Sequence, residues 1–281
     1  MFNFFDRRIR KRWFYTFLSI VGATSICLTN IQPSYSVSWL DLIRQGAQII
    51  QLSNISDRQE VALGKDINQQ LINSGQAKIY RDREITAYIN QIGQKLAKTS
   101  ERPDLPYTFQ VVDDKNINAF ATMGGYVYVN TGLILAADNE AELASVIGHE
   151  IGHIVGRHAV EQMRQRAISQ GVLSAAGLDQ SAAVNIGVDL AINRPNSRED
   201  EREADRLGLA NLQKAGYAPS GMVTFMQKLL KQGSSVPKIL STHPSTAERI
   251  QALESNIKPA TANRGSGLNS KAYKQKISSL R

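Results

Sequence analysis

Apolar residues recur at helical spacing through most of this chain. Residues 57–73 and 82–99 predict two helices, the second stopped by Pro103. Residues 39–52 predict an amphipathic lead-in helix. The strongest helical stretch is residues 140–155, where Leu143, Val146, Ile147, Ile151 and Ile154 make one apolar face. Further helices are expected over 197–208, 207–213, 222–231 and 244–253. The pattern changes at residues 126–129, Tyr-Val-Tyr-Val after the turn signal Gly124-Gly125, which predicts a short strand partnered in a hairpin by residues 107–112. The fold class is therefore α+β and mostly α-helical, with a small β-sheet followed by the 140–155 helix. The stretch 159–193 stands apart, because 12 of residues 167–191 are Ala, Gly or Ser. It lacks the apolar continuity of a membrane span, roughly 20 residues.

All four histidines fall in two places, three between His149 and His158 and the fourth at His243. His149-Glu150-Ile151-Gly152-His153 reads H-E-x-x-H. On a helix, positions i and i+4 share a face, so His149 and His153 can aim imidazole nitrogens at one metal ion. Glu150, one residue around, is placed to touch a water activated by that metal and to take its proton. The motif fixes only three positions, and an ordinary amphipathic helix is the alternative. Gly148 and Gly152 each weaken the helix by about 1 kcal/mol relative to Ala, which a close helix neighbour or a crowded site would explain. His158 falls on a different face from His149 and reads as structural.

A metal site needs a third ligand, and residues 197–208 offer Glu201 and Asp205 at i,i+4 spacing. One carboxylate could complete a two-histidine, one-glutamate site, and the other could orient a ligating histidine. Arg198, Arg202 and Arg206 alternate with these acids, so a solvated charged face is the competing reading. His243-Pro244 opens a helix, which leaves His243 near an N-cap.

Four segments together resemble the gluzincin zinc metallopeptidases that include HtpX, the CAAX prenyl endopeptidase and the Oma peptidase. They are residues 118–133, 149–158, 197–208 and 242–249, in the family's order. Size and a soluble body are similar to the periplasmic BepA- and LoiP-like members. The resemblance implies a zincin-like metallopeptidase domain holding one Zn2+ per chain on His149, His153 and Glu201. It implies Glu150 as general base and Asp205 as support for a ligand. His243 and Arg249 would lie near the zinc, there to stabilise the tetrahedral oxyanion, or, for His243, to plug the open zinc position. An exposed strand edge at Gly125, Tyr126, Val127 and Tyr128 would bind extended substrate through main-chain hydrogen bonds. Residues 159–193 would be a mobile insertion flanking the cleft.

Residues 1–36 read as a signal peptide or N-terminal anchor. Five basic residues precede an uncharged apolar run over 13–28, and Ser34 and Ser36 flank Tyr35 before Val37 as a cleavage site. Residues 37–255 would be the metallopeptidase domain and 256–281 a basic, disordered tail. The formal charge of +8 sits at the ends. Residues 37–255 carry 22 basic and 24 acidic residues, so no nucleic-acid partner is expected. The expected activity is an exported zinc endopeptidase in the periplasm or membrane-associated envelope, hydrolysing misfolded or damaged proteins. Contact with a membrane surface is compatible, and oligomeric state is open. The alternatives are a low-turnover, chaperone-like binding protein with a self-plugged zinc site, and a helical envelope protein with a chance motif. A prenyl protease is disfavoured, since those relatives have several membrane spans.

Overall fold

The computed structural model describes residues 49–174, 177–193, 196–231, 237–244 and 247–280. The expected signal or anchor, residues 1–36, lies outside them, as does most of the lead-in helix. What is described of that lead-in is a two-residue strand β1 (Ile49–Ile50) and a 3-10 turn, not a helix.

Two helices come first, α1 (Asp57–Asn73) and α2 (Arg83–Ala97). Their starts follow from local chemistry. Ser56 and Gln59 close a capping box on α1, and the Asp82 carboxylate accepts from the backbone of Ile85 on α2. A three-stranded sheet follows from β2 (Thr108–Val112), β3 (Ala119–Thr122) and β4 (Tyr126–Asn130), in the order β2-β4-β3. β2 and β4 run parallel, with Thr108 opposite Tyr126, and β3 and β4 run antiparallel, with Ala119 opposite Val129. The expected hairpin between residues 107–112 and 126–129 is thus a parallel pair, with β3 inserted in the chain between them. β4 is consequently the central strand, and β3 is an edge.

Alternation along β4 splits the interior into two apolar clusters. Val127 and Val129 join Ile89, Ile92, Leu143 and Ile147 on one face. Tyr128, stacked on Phe120, joins Leu63, Ile67 and Met163 on the other. A short helix α3 (Thr131–Ala136) leads to α4 (Glu140–Val155), capped by the Asn139 side chain accepting from the Glu142 backbone. Helix α5 (His158–Ser169), strand β5 (Leu178–Asp179) and helix α6 (Gln180–Asn193) make up the small-residue stretch. Instead of a mobile insertion, this stretch belongs to the packed body. Ala183, Ile186 and Leu190 are buried beside α1, and β5 pairs with β1. Its small residues permit that approach.

Helix α7 (Arg198–Lys214) is continuous across both segments expected there, and starts in a Ser197–Asp200 capping box. Helices α8 (Ser220–Lys231), α9 (Lys238–Thr242) and α10 (Ala247–Asn256) follow. The expected disorder of 256–281 does not hold for residues 257–280. Helix α11 (Ser270–Lys276) buries Tyr273, whose hydroxyl donates to Ile134 O at 2.6 Å, and Ile277 is buried one turn on. Lysines 271, 274 and 276 stay exposed, so a basic composition concealed an apolar i,i+4 pair. Among the described residues no helix is long and apolar enough to cross a membrane.

The α4–α7 contact sets the site. A Cβ on Gly152 would lie 2.6 Å from Ala204 O, so glycine lets the two helix backbones touch. Gly152→Ala gains about 1 kcal/mol of helix propensity but overpacks this seam, which typically costs about 1–3 kcal/mol. The expected outcome is a lower urea midpoint, because the wedge pushes α7 away from α4.

Candidate metal centre

H-E-x-x-H occupies the middle of α4, and all its polar side chains are buried. His149 Nε2 lies 3.1 Å from His153 Nε2. Across the seam, α7 brings Glu201 Oε1 within 3.3 Å of His153 Nε2, and Oε2 within 3.5 Å of His149 Nε2. The chain after α9 adds His243, whose Nδ1 is 2.9 Å from Glu201 Oε1 and 3.4 Å from His149 Nε2. One donor atom from each of these four residues lies within 4.8 Å of all the others.

These separations test whether a metal fits. Four ligands roughly 2.0–2.1 Å from a tetrahedral zinc stand about 3.3 Å apart. Five of the separations, 2.9–3.5 Å, bracket that value, and the four donors all lie within 4.8 Å of one another. Three imidazole rings converging on one buried carboxylate, on the interior side of a helix seam, match a borderline cation's preference for nitrogen and oxygen. The residues therefore fit zinc, and His243 stands as a fourth donor beside the expected three.

Asp205, one turn beyond Glu201 on α7, accepts from His149 Nδ1 at 3.0 Å. Arg249, on α10, grips Asp205 with a bidentate pair, Nε to Oδ2 and Nη2 to Oδ1, both 2.7 Å. Its Nη1 donates to Pro244 O at 2.8 Å and stands 2.6 Å from Glu201 Oε2. Arg249 thus reaches His149 only through Asp205, and braces Glu201 directly. The role expected for it at an oxyanion needs a free N–H facing the cleft, and the guanidinium nitrogens are engaged on carboxylates and a carbonyl instead.

Electrostatics follow from burial and neighbours. Burial works against charge on His149, but Glu201 and Asp205 outweigh it and push that imidazole up to about 10. His153 is pushed down to about 3, chiefly by burial, with the neighbouring imidazoles adding to it. Burial opposes charge on Asp205 as well, yet its hydrogen bonds from Arg249 and His149 hold it below the usual range. Glu150 goes the other way, raised mainly by burial. Its side chain is 1% exposed, and the Ala121 backbone on β3 and the nearby His243 and His149 rings work against that rise. His243 Nε2 is 3.5 Å from Glu150 Oε1.

A cleft opens onto Glu150, His153 and His243, and is walled by Phe120, Ala121 and Thr122 of β3. The strand edge beside the site is therefore β3, not the expected Gly125–Tyr128 segment. Tyr126, Val127 and Tyr128 lie in a strand already paired on both sides, which leaves their main chain no capacity for an added peptide. Two residues escaped the reading of the sequence. Asn196 Nδ2 lies 3.2 Å from His243 Nδ1. His158, taken as structural, meets His153 directly, Nδ1 to Nδ1 at 2.8 Å.

A two-histidine, one-glutamate donor set on an H-E-x-x-H helix and its partner helix, under a small sheet, defines a zincin-like metallopeptidase domain. The chain belongs to peptidase family M48, whose sequence profile matches residues 84–257. It is 34% identical over 214 residues to the beta-barrel assembly-enhancing protease of Escherichia coli, covering 70% of this chain and 44% of that protein. The chain thus spans less than half the length of that relative. Mitochondrial metalloendopeptidase OMA1 of Schizosaccharomyces pombe is 32% identical over 185 residues, 64% of this chain and 55% of that protein. Metalloprotease LoiP of Escherichia coli is 29% identical over 229 residues, 77% of this chain and 87% of that protein.

Proposed function

We propose that this protein is an exported zinc endopeptidase that cleaves misfolded or damaged proteins of the cell envelope or its membranes. The observation that carries the reading is the convergence of His149, His153 and Glu201 donor atoms beside a buried Glu150. His149, His153 and Glu201 would hold the zinc, which when bound would supply the Lewis acidity that brings a water's pKa from about 15.7 toward 7. Glu150 takes the proton from the attacking water at its carboxylate and hands it to the departing amide nitrogen. A carboxyl raised by burial is well matched to both halves of that transfer. Asp205 fixes the tautomer of His149, and Arg249 holds Asp205 and Glu201 in place.

The substrate class follows from β3. As an edge strand along the cleft, it can take an extended peptide by main-chain hydrogen bonds, which read shape and extension more than side chains. Unfolded segments present such backbone and folded proteins do not. Export rests on the basic and apolar pattern of residues 1–36.

A second reading, slow turnover on the same fold, is favoured by one observation. His243 sits within the donor cluster, where a substrate carbonyl or attacking water would have to enter. In this arrangement His243 closes the site, and cleavage requires it to swing out. His243→Ala is therefore expected to raise casein cleavage severalfold at unchanged zinc content. Loss of activity in that variant would assign His243 to transition-state stabilisation instead.

A further inference from the structure

We infer that His158 is a positioning residue of the zinc site, accepting a hydrogen bond from His153 and, with Glu203 behind it, fixing the ring that presents Nε2 to the metal. This rests on the metal-centre reading above. His153 Nε2 faces the other donors, 3.1 Å from His149 Nε2 and 3.3 Å from Glu201 Oε1. A neutral imidazole that offers its Nε2 lone pair carries its proton on Nδ1. That proton points at His158 Nδ1, 2.8 Å away, with the two rings at 75°. His158 must accept there, which leaves its own proton on Nε2, 3.4 Å from Glu203 Oε2. The tautomers of both histidines are thus set from one carboxylate on α7. His149 is oriented by Asp205 on the same helix, directly instead of through a second ring.

The chain is built to make this contact. On an unbroken helix, residues five apart are turned by roughly 140° and do not meet. Here α4 ends at Gly156, and Arg157 takes a left-handed conformation with φ 55, a strained state for a residue with a side chain. The Arg157 side chain holds that bend by donating to Glu60 Oε2 at 2.8 Å and Ile55 O at 2.7 Å. Helix α5 then begins at His158, and its ring folds back over Gly156. A Cβ at 156 would lie 2.5 Å from His158 Nε2. A glycine, a strained arginine and a buried histidine therefore cooperate to place one acceptor behind one zinc ligand.

The test compares His158→Asn with His158→Leu in the full chain. Asn Oδ1 occupies the same place in its side chain as His Nδ1, whereas Leu fills the space and accepts nothing. Zinc affinity is read by competition with a chelator, and site geometry by the visible absorption of the cobalt-substituted protein. Leu is expected to weaken zinc binding roughly 10–100-fold and to change the cobalt spectrum, while Asn restores most of both. Equal affinities and spectra in wild type and Leu would overturn the inference, as would an Asn variant as impaired as Leu. Should the Leu variant not fold, Glu203→Ala removes only the half-exposed end of the relay. It is expected to loosen zinc severalfold, and an unchanged affinity would overturn the proposal. A wild-type chain that takes up no zinc would instead overturn the metal-centre reading, and this inference with it.

Discussion

Glu150→Gln is expected to lower peptide hydrolysis by roughly 10²–10⁴-fold, the range for losing a general base, while zinc stays bound. Gln keeps the shape of the side chain and removes only its capacity to hold a proton. The donors on His149, His153 and Glu201 are untouched, and Glu150 is one residue around α4 from the first of them. The loss is therefore expected in kcat with little change in KM. Steady-state cleavage of casein alongside zinc content checks both halves. Zinc released by the variant would make Glu150 a ligand and not the base.

Glu60→Ala is expected to cost about 3 kcal/mol of stability, the lower end of the range for breaking a buried ion pair. Glu60, on α1, is 1% exposed. Its carboxylate accepts from Arg102 at 2.8 and 3.2 Å and from Arg157 at 2.8 Å, and the Gly124 backbone donates to it at 3.3 Å. Arg102 also donates to Ile154 O, in the last turn of the H-E-x-x-H helix. Removing the carboxylate leaves two guanidinium groups beneath that turn with only the more exposed Asp57, 2.7 Å from Arg102 and 3.8 Å from Arg157, to offset them. Arg157 is partly exposed and escapes to water, which keeps the cost at the lower end. A melting temperature lower by roughly 6–12 °C is the expected readout, at 2–4 °C per kcal/mol for a domain of this size.

Much of the site was legible because its chemistry is written locally. His149, Glu150 and His153 share one helix, Glu201 and Asp205 share another, and i,i+4 spacing alone puts each pair on one face. What spacing could not reveal is which carboxylate faces which histidine, since that depends on how α4 and α7 cross at Gly152. His158 was missed for a related reason. Its partner lies five residues away, a separation that helical periodicity assigns to opposite sides, and only the Gly156-Arg157 break reconnects them. That dipeptide was the one signal in the sequence. The sheet went astray because strand order is non-local. The residue-by-residue pattern of 126–129 says strand, but whether it is central or an edge depends on where β3 inserts. The tail misled by composition, as six basic residues and many small ones hid Tyr273 and Ile277.

Zinc content of the purified full chain, measured by atomic absorption for wild type and Glu201→Ala, bears most directly on the metal centre. One zinc per wild-type chain, lost in the variant, is the expected result. A wild type without stoichiometric zinc, or a Glu201→Ala chain that holds it as tightly, would contradict the assignment.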